Sequence, residues 1–157
     1  MFAQTAILLF TAGLAAALPS PTEPENVVAD RVLDAPLAKR TTHHGIGTIF
    51  LQEGGTGSCG QKNPDSSHII ALSNFWMKNQ SPGPFCGRKI QVTNTGSSDG
   101  GVHGKGNTII ATVEDTCPSC DENHLDFSEG AWNELTNNSP FSVVNIDWHF
   151  CNANGQC

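Results

Sequence analysis

The chain has 157 residues, with 15 acidic side chains against 8 basic ones and a formal net charge of −7. That balance argues against phosphate polymers and anionic membrane surfaces as partners. Six cysteines and 16 glycines in so short a chain point away from a large apolar core and toward a small, loop-rich, cross-linked fold.

In chain order, residues 7–10 and 14–18 form an apolar run that ends in small residues. The run is too short to cross a membrane and reads as a secretory signal, residues 1–17, cut near Ala17. Residues 18–40 hold Pro19, Pro21, Pro24 and Pro36 among scattered charges, without periodicity. They read as a pro-segment that builds no core and ends in the dibasic pair Lys39-Arg40. A cut there leaves residues 41–157 as one secreted, extracellular domain. Its basic residues are Lys62, Lys78, Arg88, Lys89 and Lys105, with no Lys or Arg beyond.

Short β-type runs follow, separated by Gly, Asn, Ser and Pro clusters. Strands are expected at residues 47–51, 68–72, 89–93, 108–113 and 142–150. The runs at 89–93 and 142–150 alternate as half-buried strands do, whereas 108–113 is more continuously apolar and central. Residues 96–106 make a Gly/Ser/Asp hairpin tip. Ser73 is expected to cap a helix over 74–79, stopped by Pro82-Gly83-Pro84. Ser128 is expected to cap a second over 129–135, with Phe127 and Trp132 spaced as a hydrophobic staple.

The six cysteines all fall in the mature part, and an even count behind a signal implies disulfides. The favoured pairs are Cys59–Cys86, Cys117–Cys120 and Cys151–Cys157. Zinc at Cys117-x-x-Cys120 lacks a matching second pair and an intracellular setting. No cofactor is expected, and the protein should be monomeric. The whole reads as an all-β, disulfide-stabilised barrel with one or two short helices.

Several strings then follow a familiar order. They are Gly47-Thr48-Ile49-Phe50, Ser58-Cys59-Gly60, Ile70-Ala71-Leu72-Ser73, and Phe85-Cys86-Gly87 running on to Asn94. Ala111-Thr112-Val113-Glu114-Asp115-Thr116-Cys117-Pro118-Ser119-Cys120 and His124-Leu125-Asp126-Phe127-Ser128 complete the set. Together they resemble the double-psi β-barrel group (barwin, RlpA-like proteins, the first domain of expansins, the loosenins and the kiwellins), with the single-domain loosenins most similar. The resemblance implies a six-stranded barrel with an open polysaccharide groove. It places a groove threonine on Thr48 and groove aspartates on Asp115 and Asp126. In the related endoglucanases a second catalytic aspartate ends the first strand, and Leu51 stands at that place here. Glu53 would substitute only if its turn aimed it inward.

Inverting hydrolysis needs a proton donor and a second carboxylate roughly 6.5–9.5 Å away to activate water. Asp126 can be the donor, its proton held by like charge from Asp115. The base is missing, so binding and loosening of glucan- or chitin-type cell-wall chains without cleavage is expected, with Thr48, Asp115 and Asp126 bonding sugar hydroxyls. His124 precedes Asp126 by two residues and shares its face. Trp76 is the best-placed stacking aromatic, whereas Trp132 and Trp148 read as core and His44 as a polar tail residue. A chain freed at Thr41 would place His43 third, where an amine, two backbone nitrogens and an imidazole can wrap Cu(II). Asn79-Gln80-Ser81 and Asn137-Asn138-Ser139 match the N-glycosylation pattern, each followed by a proline that lowers occupancy. A protein-binding effector or protease inhibitor on the same barrel, using residues 52–65 and 94–107, is the rival. A weak endoglucanase or lytic transglycosylase is the third reading.

Overall fold

The computed structural model describes residues 40–98 and 100–157. The signal and pro-segment readings of residues 1–39 lie outside the described residues, as does Asp99. Six strands close into a barrel in the order β1-β5-β2-β4-β3-β6. They are β1 (His43–Ile49), β2 (Ile69–Ser73), β3 (Lys89–Gly96), β4 (Thr108–Cys117), β5 (Leu125–Phe127) and β6 (Val144–Phe150). Among the described residues two helices, α1 (Asn74–Met77) and α2 (Glu129–Thr136), accompany the barrel. The pairs β1–β5 and β2–β4 are parallel and the other four antiparallel. Closure leaves no free sheet edge. The expected all-β double-psi barrel is therefore the observed architecture.

Alternation decides what fills the barrel. Ile90 and Val92 on β3, Ile109, Ala111 and Val113 on β4, and Val144, Ile146 and Trp148 on β6 are all buried, as the period of two requires. Helix α2 closes the core with Ala131, Trp132 and Leu135. The indole N–H of Trp132 donates to the Ser139 carbonyl at 2.8 Å, which lets so polar an edge stay dry. A Cβ on Gly47 would stand 2.2 Å from Phe127 Cε2. Only glycine lets β1 approach the core there.

Several expected details differ. Strand β1 begins four residues earlier than expected, because its pairing with β6 starts at His43↔Trp148. β5 has only three residues, too few for periodicity to reveal. Ser73 and Ser128 precede their helices, but neither side chain caps them. The Ser128 hydroxyl instead bonds the Ser67 carbonyl at 2.5 Å and accepts from the Ile69 amide at 3.2 Å. It knits α2 to β2 rather than capping α2. The cysteines pair as Cys59–Cys86, Cys117–Cys120 and Cys151–Cys157, with no free cysteine. Such cross-links fit an oxidising compartment.

Candidate functional site

One row of residues crosses four strands. Thr48 on β1 pairs with Asp126 on β5, Asp126 pairs with Ala71 on β2, and Ala71 pairs with Asp115 on β4. Directly paired residues share a face of the sheet. Their neighbours Leu125, Phe127, Ile70 and Leu72 fill the interior, so this row points outward. Asp115 joins it only through a bulge. The β2–β4 register passes from Ile70↔Val113 to Ala71↔Asp115, leaving Glu114 unpaired. Strict alternation from buried Val113 would have turned Asp115 inward.

Thr48 links the two other polar groups. Its hydroxyl donates to Asp126 Oδ1 at 2.5 Å and lies 2.8 Å from His124 Nε2. A hydroxyl has one proton, so His124 donates to Thr48 through a protonated Nε2. Thr48, His124 and Asp126 are all half-buried. Burial pushes the Asp126 carboxyl above its ordinary range, against the opposing pull of the Thr48 hydrogen bond and the His124 charge. The expected cause was like charge from Asp115, and that is corrected: desolvation raises it.

Asp115 is occupied elsewhere. Its Oδ1 accepts from the amides of Ser58 and Thr116, both at 2.8 Å, while the Ser58 and Thr116 hydroxyls meet at 2.6 Å. Gly57 lies buried alongside, where a Cβ would stand 2.5 Å from the Glu114 carbonyl. Asp115 thus anchors the loop that follows Gln52. On the far side Leu51 is 46% exposed and Glu53 is exposed in a left-handed turn at φ 48°. That turn is held by Asp65 Oδ1, which accepts the Gln52 and Glu53 amides. No hydrogen bond among the described residues ties the Glu53 carboxylate to Thr48, His124 or Asp126.

Trp76 is not in this row. Its indole N–H donates to the Glu122 carbonyl at 2.7 Å, and its ring packs edge-on against His43, Phe75, Phe85, Trp148 and Phe150. The expected stacking platform is therefore mostly spent within the protein, and of the pair Phe75 is the exposed ring, at 49%. A pocket of about 400 Å³ is lined by Arg40, Thr41, His43, Trp76 and Phe150. The His43 imidazole stacks on Trp148 with centroids 4.2 Å apart. A copper wrap at the Thr41 terminus would have to lift it from that stack.

His44 was the residue that sequence reasoning missed. It lies inside β1, and its Nδ1 meets Asp147 Oδ1 at 2.5 Å. With Ile46 and Thr48 it follows the i, i+2 spacing of one strand face, which was the available signal. A second hollow of about 290 Å³, lined by His44, Gly45, Ile46 and residues 121–123, continues this face beside His124. Of the acceptor asparagines, Asn79 is exposed, while Asn137 is exposed but holds the Asn107 amide at 2.8 Å.

No protein-family model matches the chain. A papain inhibitor of Streptomyces mobaraensis is 31% identical over 120 residues, covering 74% of this chain and 76% of that protein. The solved Streptomyces papain inhibitor superposes with a TM-score of 0.54, covering 70% of this chain and 94% of that one, again at 31% identity. An expansin of Clavibacter michiganensis gives a TM-score of 0.55 at 26% identity over 72% of this chain, which spans only 52% of the expansin. A mutant of that expansin is solved in complex with cellohexaose. An endoglucanase of Mytilus edulis, 18% identical with a TM-score of 0.51 over 76% of this chain and 83% of its own, shares the fold. The closed six-stranded barrel, its three disulfides and these relatives together show that the chain belongs to the double-psi β-barrel family of expansin- and barwin-like proteins.

Proposed function

We propose that the chain is a secreted protein that grips cell-wall polysaccharide along the Thr48–His124–Asp126 face and loosens the packing of its chains without cutting them. The single observation that carries this reading is the outward row in which Asp126 is bonded to the Thr48 hydroxyl and keeps its second oxygen for a sugar, whereas Asp115 is tied to two backbone amides. Asp126, Thr48 and His124, linked to one another at 2.5 and 2.8 Å, offer donors and acceptors at spacings suited to sugar hydroxyls. Asp115 is committed to its loop, and Leu51 stands where a base is needed. An acid without its base forgoes about 10²–10⁴-fold in rate. Secretion rests on the signal read at residues 1–17 and on maturation at Lys39-Arg40.

A second reading has its own support. The papain inhibitor matches at nearly its full solved length, whereas the expansin is matched over half. A protein target held by residues 52–65 and 94–107 would suit that likeness. Co-sedimentation with insoluble cellulose and chitin, wild type beside Asp126→Asn, with papain inhibition assayed in parallel, distinguishes the two. Wild-type retention of at least several-fold over the variant, without soluble reducing sugar, is the expected result. Equal, negligible retention together with papain inhibition would transfer the function to the loops. Sugar release abolished in Asp126→Asn would make the protein a hydrolase or lytic transglycosylase.

A further inference from the structure

The Cys117–Cys120 bridge spans a sequence separation of only 3, against 27 for Cys59–Cys86 and 6 for Cys151–Cys157. Chain-entropy stabilisation grows with loop length, so this bridge contributes least to holding the barrel. Its surroundings give it another role. Both sulfurs lie within 4.8 Å of an Asp126 carboxylate oxygen and, being bonded to each other, are not free to take a metal. The cysteines are 6% and 9% exposed and pack with Ala71 and Phe50. Ala71 is the residue paired with Asp126 on the side away from Thr48. The bridge therefore lies beside Asp126 on the Ala71 side of the row, opposite Thr48.

We propose that the Cys117–Cys120 disulfide is a positioning element of this site: its sulfurs form an apolar wall that keeps water from one side of the Asp126 carboxyl and leaves its other side to a sugar oxygen. The proposal rests on Asp126 belonging to the polysaccharide site. The groups facing Asp126 leave the wall a decisive part. β1 offers the neutral Thr48 hydroxyl, β2 offers Ala71, β4 places Asp115 one strand further along the row, and His124 stands on the approach to β5. No Lys or Arg bonds to Asp126 among the described residues. Burial is the largest influence on its proton, and the wall is an apolar source of that burial. A disulfide has no strong donor or acceptor to offer water, unlike serine at the same places.

The test is an NMR titration of the Asp126 carboxyl in the full chain without ligand, comparing wild type with C117S/C120S and C117V/C120V. The wild-type midpoint is expected above the ordinary aspartate value of 3.8. It should fall toward that value in the serine pair, which wets the wall, and stay near wild type in the valine pair, which keeps the wall dry without the bridge. Equal midpoints in all three proteins overturn the proposal, because the wall then has no influence. Equal falls in both variants also overturn it, because only the cross-link then matters. Should the serine pair not fold, C117A/C120A, which opens room for water, replaces it with the same readings. No polysaccharide enters this measurement. A wall effect in a protein that fails to sediment with glucan or chitin would therefore sink the binding reading alone.

Discussion

Asp126 holds its proton at a cost in stability. Its folded-state affinity for the proton is raised by burial, so between 3.8 and the raised midpoint the folded protein binds more proton than the unfolded chain. Stability from this group is therefore lost as pH rises through that window and is unaffected below it. Asp126→Asn keeps an acceptor for Thr48 and removes the charge. Its melting temperature should exceed wild type by up to about a few °C at neutral pH, since the residue is half exposed, and match it at pH below 3.8. A calorimetric pH series checks this, and a variant less stable than wild type at neutral pH would contradict it. His149 works in the opposite sense. Burial, and secondly the Arg40 charge, lower its pKa below 6.5, so its contribution is full above that value and lost as pH falls through the lowered one. Asp126 was legible as a candidate because its string, His124-Leu125-Asp126-Phe127-Ser128, is contiguous. The bond that defines it was not, because Thr48 lies 78 residues away in sequence.

At the scale of elements, the β4 bulge and the loop before β2 that packs on it decide which acids reach the face. Glu114 is left unpaired, and Gly57 allows its carbonyl to approach the loop. A Cβ at Gly57 would meet that carbonyl at 2.5 Å, the Gln52 side-chain nitrogen at 2.7 Å and Asp115 Cγ at 3.3 Å. Two of these approaches are too close to survive unshifted. Gly57→Ala is expected to cost about 1–3 kcal/mol in urea unfolding and to move the Ser58 amide resonance as its bond to Asp115 lengthens. An unchanged Ser58 amide would show that the loop is not held there. The polar–apolar alternation of Lys89–Gly96 was readable because each inward residue is an apolar neighbour of an outward polar one. The exception, Asn94, is 1% exposed and satisfied by the His103 and Leu135 carbonyls, partners that only the closed fold supplies. Strand β5 escaped detection because three residues carry too little pattern, and His44 was taken for a tail because pairing to β6, not propensity, extends β1.

At the scale of the molecule, a small barrel with an acidic surface depends on cross-links of unequal weight. The Cys59–Cys86 bridge ties the loop before β2 to the start of β3 over a separation of 27. Replacing it with C59A/C86A is expected to lower stability by about 2–4 kcal/mol in guanidinium unfolding, more than the C117V/C120V pair does. The reverse order would assign the main structural duty to the bridge beside Asp126. The sequence by itself determined the β-rich class, the even set of cysteines, the two short helical turns and the strings that mark the family. These follow from local physics: the period-two burial of strands, turn residues between them, and spacing along one chain. Only the tertiary structure decided that Thr48, Asp126, Ala71 and Asp115 form one outward row, that Asp115 is spent on a loop, and that Trp76 is packed among rings. The strands that meet in the row, β1, β5, β2 and β4, are not consecutive in the chain. Which of them become neighbours, and where the register slips by one residue, is set by closure of the barrel around its core.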